Sequence, residues 1–169
     1  RDWEKSRQEG ESAADLVTAY EEVKQALGLT ESVEDMAKST AVSSMVYANR
    51  PGDGSAREQA ASCQRVLGGG ANIAIEYATK RYRSNVINWG MLPFLTSEED
   101  SKTMAVGDYV YVPNVRDQLF SDSDDYKAYV ISGGVKKAEI TLHLGHLSDE
   151  EKDIIAAGCL INYYANSKA

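Results

Sequence analysis

A short apolar run, followed by a glycine-rich loop and a helical pattern, constrains the fold of this chain most strongly. Residues 45–48 are apolar and are bounded by turn residues, which predicts a buried strand. In the loop that follows, Gly52 and Gly54 lack a Cβ, so backbone N–H groups can lie close to a ligand. A helix beginning at Ser55 directs its unpaired first-turn N–H groups into the same loop. The segment therefore predicts an anion-binding site.

Ser55 has two interpretations from these residues alone. The Ser55-x-x-Glu58 spacing is that of a capping box, in which Ser55 caps the helix and Glu58 bonds back to the cap. Arg57 favours a ligand instead, because a cation in the first turn opposes the helix dipole by up to about 1 kcal/mol. Its position fits a bidentate hydrogen-bonded contact with a carboxylate.

Several short motifs then follow one another in a fixed order. They are Gly54-Ser55-Ala56-Arg57-Glu58-Gln59-Ala60-Ala61, Leu67-Gly68-Gly69, Asn85 and Gly90-Met91-Leu92-Pro93. This order resembles the mobile "swivel" domain of the aconitase family, which typically shows Gly-Ser-Ser-Arg-Glu-His-Ala-Ala, Leu-Gly-Gly, an Asn and Gly-x-Leu-Pro. The resemblance covers about residues 43–161, is weak after residue 94 and hardly extends into the first forty residues.

The resemblance implies roles for the residues of the first motif. Ser55 matches the family's general base, which removes a proton from the carbon beside a carboxylate, and needs surroundings that stabilise an anion. Arg57 matches a carboxylate-binding arginine, and Gly54 and Ala56 are expected to contact substrate. Ala56 lacks the hydroxyl of the family's second serine, and Gln59 replaces its histidine. These two departures indicate a divergent branch and argue against citrate as the substrate.

The resemblance also implies a cofactor that this chain does not bind by itself. Aconitase-like enzymes use a [4Fe–4S] cluster whose open iron acts as a Lewis acid, and its cysteine ligands lie on other domains. Only Cys63 and Cys159 are present here, without a Cys-x-x-Cys pair, so no metal ligand is assigned. The expected partners are the remaining cluster-bearing domains of the same polypeptide, or a large subunit. Neither Arg1 nor Arg50 fits the family's second substrate-binding arginine, and a start without methionine fits a piece of a longer protein.

The periodicity divides the chain into an acidic helical lead-in or connecting segment over 1–40 and a swivel domain over 41–169. Apolar residues at 16, 20, 23 and 27 predict one helix ending at Gly28, and Ser32 begins another. Further helices are predicted at 55–67, at 82–88 and from Ser148, which opens a capping box with Glu151. Strands are predicted at 45–48, 71–78, 109–112, 129–131 and 138–144. The alternation predicts parallel neighbours, and the resemblance implies an α/β, aconitase-type swivelling β/β/α three-layer domain.

Charge favours a small anionic ligand over a large one. The net charge is −8, yet residues 50–83 carry +3 and the remainder −11. The overall acidity argues against nucleic acid or an anionic membrane, while the basic island suits a small carboxylate. Four of its cations are interpreted as solvated charges on helix faces: Arg65, Lys80, Arg81 and Arg83. Without a long apolar run or a signal-peptide pattern, the expected location is cytoplasmic.

Together these observations predict the C-terminal domain of an aconitase-like hydro-lyase that acts on a small di- or tricarboxylic hydroxyacid and is inactive in isolation. One alternative is the separate small subunit of an isopropylmalate-isomerase-like heterodimer, although the chain lacks the Asp-Thr-Asp motif expected near its start. Another is a non-catalytic binding or regulatory module. Ala56 and Gln59 favour the module, whereas Ser55 and Arg57 oppose it.

Overall fold

The computed structural model describes residues 14–167, which form eight helices and six strands. The helices are α1 (Ala14–Leu27), α2 (Val33–Ser39), α3 (Arg57–Val66), α4 (Lys80–Asn88), α5 (Glu98–Ser101), α6 (Val115–Leu119), α7 (Asp149–Ala157) and α8 (Leu160–Ser167). The strands are β1 (Ser44–Ala48), β2 (Gly69–Ala74), β3 (Leu92–Leu95), β4 (Tyr109–Tyr111), β5 (Asp125–Ser132) and β6 (Val135–His143).

The strands pair in the order β1-β2-β3-β6-β5-β4. β1 pairs with β2 and β2 with β3 in parallel, and helices α3 and α4 make the two crossovers. β3 pairs with β6, and β4 with β5, in the antiparallel direction. The predicted parallel neighbours and the α/β class are thereby confirmed. The strands predicted at 129–131 and 138–144 are present in β5 and β6, which are neighbours in the sheet and are joined through Gly133 and Gly134.

Backbone contacts divide the chain into two compact units, of which the first contains residues 14–42, 102–113 and 127–140. Its core joins Tyr20 and Val23 of α1 to Met36 of α2 and Ile131 of β5. The helical spacing of the apolar residues places them on one face of α1, as predicted. Gly28 ends this helix with a φ of +65°.

The second unit contains residues 43–101, 114–126 and 141–167 and carries the glycine loop. Ala61 of α3 packs here with Tyr82 and Val86 of α4. The indole Nε1 of Trp89 also donates a hydrogen bond to the Glu58 carboxylate at 2.9 Å. These contacts hold α3 and α4 together beside the three parallel strands.

Three local predictions are wrong. β1 is not buried: Val46 and Tyr47 are 41% and 37% exposed, because β1 is an edge strand of the sheet and, among the described strands, pairs only with β2. β2 spans Gly69–Ala74 rather than 71–78, so glycines that were expected to precede the strand begin it. The C-terminal helix is two helices, because Gly158 adopts a φ of +87° at the end of α7. The Ser148–Glu151 capping box is confirmed.

Gly90 provides a test of this packing. Its φ is +67°, and a Cβ would overlap the carbonyl group of Gly158 at the end of α7. We expect Gly90→Ala to lower the free energy of unfolding by at least about 3 kcal/mol, measured by urea denaturation of the chain. Gly107→Ala is the control, because Gly107 has a φ of +95° but no atom within 4 Å of an added Cβ. It should cost only the backbone strain, about 1–2 kcal/mol, and equal losses would contradict the close contact.

Candidate functional site

The glycine loop lies at the carboxyl ends of three parallel strands. The Glu76 N–H, after β2, donates to the Asn49 carbonyl at 3.0 Å, and the Ala78 N–H donates to the Pro51 carbonyl at 2.9 Å. The Thr96 N–H, after β3, donates to the Ala74 carbonyl at 2.9 Å. The loops that follow the three strands are thus tied together at one edge, where α/β proteins bind their ligands.

The loop has glycine at positions 52 and 54 for different structural reasons. Gly52 has a φ of +94°, and a Cβ on it would lie 2.5 Å from the Cβ and Cγ atoms of Tyr82. Gly52 is therefore required by the protein's own packing. Gly54 has no described atom within 4 Å of an added Cβ. The open space that a ligand needs is consequently over Gly54.

Arg57, the first residue of α3, is held by the loop that precedes it. Its Nε–H donates to the Gly52 carbonyl at 3.1 Å, and the Thr79 hydroxyl donates to the same oxygen at 3.3 Å. Within residues 14–167, no hydrogen bond or ion pair involves the two terminal nitrogens of Arg57. Because the Nε bond orients the guanidinium and leaves its outer edge open, that edge can bind a carboxylate through two hydrogen bonds.

Ser55 does not cap the helix. α3 begins at Arg57 with Ala56 as its N-cap residue and without a side-chain capping bond, so the predicted helix start and Ser55–Glu58 capping box are wrong. The backbone of Ala56, with φ −87° and ψ 47°, turns into the helix two residues later than predicted. Ser55 is exposed, and its hydroxyl has no hydrogen-bond partner in the described part of the chain. Its hydroxyl is therefore free to act on a ligand.

The beginning of α3 adds positive potential beside Ser55. The N–H of Ala60 bonds to the Ala56 carbonyl at 2.9 Å. The helix geometry leaves the preceding first-turn amides without an intrahelical acceptor. Together with the positive end of the helix dipole, these amides favour an anion at the loop.

The other cations of the basic island have structural or solvent-exposed positions. Arg65 donates to the Gly69 carbonyl at 3.0 Å, and Arg83 donates to the carbonyls of Leu144 and His146 at 2.7 and 3.2 Å. The interpretation of these two arginines as solvated charges is therefore wrong. Lys80 and Arg81 are exposed, as predicted. Arg50 forms an ion pair with Glu76 at 2.8 Å.

The sequence did not predict the hydrogen bonds of Thr79 and Tyr82 that support the glycine loop. The Thr79 hydroxyl accepts the Tyr82 N–H at 3.2 Å as the N-cap of α4, and the Tyr82 hydroxyl accepts from the Asn72 amide at 2.9 Å. A threonine before a helical pattern does predict a cap, but its bond to Gly52 has no sequence signal.

Burial raises the pKa of Tyr77 well above its usual range. This phenol therefore stays neutral, and it donates a hydrogen bond to the Phe94 carbonyl.

The residues that the structure describes do not provide a ligand set for the implied iron–sulfur cluster. Across residues 14–167, no group of three histidine, cysteine, aspartate or glutamate side chains can hold a metal ion. Cys63 is exposed on α3 and Cys159 follows α7, and both are free thiols. No helix in the same range is both long enough and apolar enough to cross a bilayer.

Comparisons with known proteins identify a family and a fold. The family model of the aconitase C-terminal domain matches residues 8–99, more than half of the chain and all of the glycine loop. A crystal structure of 3-isopropylmalate dehydratase from Methanocaldococcus jannaschii has the same fold, with a TM-score of 0.55 and 23% identity, over 92% of this chain and 80% of that one. No curated protein sequence matches significantly. The aconitase-type fold is thereby confirmed, and the chain belongs to the aconitase C-terminal domain family.

Proposed function

We propose that this chain is the C-terminal domain of an aconitase-like hydro-lyase that acts on a small di- or tricarboxylic hydroxyacid. The observation that carries the proposal is the orientation of Arg57. Its Nε–H is fixed on the Gly52 carbonyl, while its outer edge is open two residues from the unpartnered Ser55 hydroxyl. A cation and a hydroxyl group thus lie two residues apart in the chain, where the glycine loop meets α3.

In this proposal, Arg57 binds one substrate carboxylate through its two terminal nitrogens. The open space over Gly54 admits the carbon chain of the substrate. The main chain of Ala56 lies beside this space in the same loop. Ala56 contributes a methyl group where the family's second serine has a hydroxyl. This loss of a polar group supports a substrate other than citrate.

Ser55 acts as the base. Its oxygen, as the alkoxide, takes the proton from the carbon beside the bound carboxylate. The electrons of that C–H bond form the carbon–carbon double bond as the hydroxyl group leaves the adjacent carbon with its bonding electrons, as hydroxide. This hydroxide and the proton taken by Ser55 together make up the water molecule that the substrate loses. Arg57 and the first-turn amides of α3 lower the free energy of the serine alkoxide, because their positive potential lies beside it.

The remainder of the active site is proposed to come from a partner. A [4Fe–4S] cluster in the other domains of the same polypeptide, or in a large subunit, supplies Lewis-acid chemistry when bound. No described residue of this chain fits that cluster. The isolated chain is accordingly expected to be inactive.

In a second candidate function, this chain is a separate subunit of an enzyme that acts on an isopropylmalate-type substrate. The fold shared with 3-isopropylmalate dehydratase over 80% of that chain favours this candidate. Turnover of isopropylmalate, and copurification with a separate cluster-bearing chain, would distinguish it. A non-catalytic module would give no turnover although the cluster was intact.

The role of Ser55 is tested by Ser55→Ala in the full protein with its cluster-bearing domains, reconstituted anaerobically with iron and sulfide. The test follows ultraviolet absorbance of the unsaturated product across citrate, isocitrate, isopropylmalate, homocitrate and methylcitrate. We expect kcat to fall by about 10³-fold with little change in KM, because the base is lost while Arg57 remains. Ser62→Ala is the control, since Ser62 lies on α3 and, among the described residues, its hydroxyl bonds only to the Gln59 carbonyl. Turnover in Ser55→Ala equal to that of the control would contradict the proposal.

The role of Arg57 is tested by Arg57→Lys in the same assay. A lysine keeps the charge but lacks the planar pair of donors, so we expect KM to rise by about tenfold or more, with a smaller change in kcat. Arg65→Lys is the matched control, because Arg65 is also on α3 but donates to the Gly69 carbonyl. An unchanged KM in Arg57→Lys, or an equal rise in both variants, would refute carboxylate binding by Arg57.

A further inference from the structure

We propose that Thr79 is a positioning residue that fixes the orientation of Arg57 toward the substrate carboxylate. This inference rests on the proposed function and assigns a role to a residue outside the glycine loop. Thr79 precedes α4, and its side chain reaches the loop at the Gly52 carbonyl.

The Gly52 carbonyl is shared between two donors. It accepts the Arg57 Nε–H at 3.1 Å and the Thr79 hydroxyl at 3.3 Å. A carbonyl oxygen has two lone pairs, so both of its acceptor positions are used. Each of the two hydrogen bonds therefore limits the rotation of the Gly52 carbonyl, and so holds the carbonyl in position for the other donor.

The Thr79 hydroxyl is itself held in one orientation. It accepts the Tyr82 N–H at 3.2 Å while it donates its own hydrogen to Gly52. The adjacent Ala78 N–H donates to the Pro51 carbonyl at 2.9 Å. Two consecutive carbonyls of the loop are thus bonded to two consecutive residues at the start of α4.

Steric contact completes the restraint. Gly52 lies so close to the Tyr82 ring that an added Cβ would be 2.5 Å from it. The loop therefore cannot move toward α4, and the bond from Thr79 opposes movement away. Without the Thr79 hydroxyl, the Gly52 peptide can rotate and Arg57 loses a fixed acceptor. Substrate binding should weaken, whereas proton removal by Ser55 should change less.

The first test requires no activity. Hydrogen exchange of the Arg57 Nε–H is measured by NMR in the 169-residue chain. In Thr79→Val we expect exchange about fivefold faster, and in Thr79→Ser a rate within about twofold of wild type, because serine restores the hydroxyl. Ser148→Ala is the matched control, since it removes an N-cap bond of 3.2 Å from α7 without touching the loop. Unchanged exchange in Thr79→Val, or equal acceleration in Ser148→Ala, would overturn the proposal.

The second test uses the reconstituted full enzyme and its best substrate. We expect Thr79→Val to raise KM about fivefold with a kcat within about twofold of wild type, and Thr79→Ser to restore KM. A wild-type KM in Thr79→Val would reject the positioning role while the hydro-lyase assignment stood. An inactive wild-type enzyme with an intact cluster would reject the proposed function, and the exchange rates alone would then decide whether Thr79 positions Arg57.

Discussion

The parallel pairing of β1 with β2 is the constraint on which the site depends. Parallel neighbours cannot be joined by a tight turn, so a helix must cross between them. That helix, α3, begins at Arg57, after the loop that follows β1 at the carboxyl edge of the parallel strands. Ser55 and Arg57 occupy this junction. Their placement therefore follows from the topology, and the details of the loop decide only how they are oriented.

Several features of the junction oppose local stability. Arg57 is a cation in the first turn of α3, Ala56 gives no side-chain cap, and the Ser55 hydroxyl has no partner within the described residues. By contrast, α7 and α4 of the second unit have ordinary N-terminal caps, the capping box at Ser148 and the threonine cap of α4. Several local exceptions in one loop are typical of functional sites. The bond from Arg57 to the Gly52 carbonyl supplies the orientation that such a site needs.

The sequence predicted the parts of the fold that depend on local patterns. Apolar spacing located α1, α4 and two of the three parallel strands, β1 and β2, but not β3. The ordered motifs around Ser55 identified the family. The start of α3 was missed because the serine–glutamate spacing of a capping box does not determine backbone angles. The bonds of Arg83 to Leu144 and His146 were missed because those partners lie more than sixty residues away in the chain. The exposure of β1 likewise depends on the order of the strands in the sheet, which the spacing of apolar residues in the sequence does not predict.

The most direct measurement is a crystal structure of the chain together with its cluster-bearing domains and a bound substrate or unreactive analogue. We expect a substrate carboxylate on the two terminal nitrogens of Arg57, with the Arg57 Nε still bonded to the Gly52 carbonyl. We also expect the Ser55 oxygen to lie within contact distance of the carbon that loses its proton. A substrate bound away from this loop, or an Arg57 guanidinium turned away from the carboxylate, would contradict the proposed roles of Ser55 and Arg57.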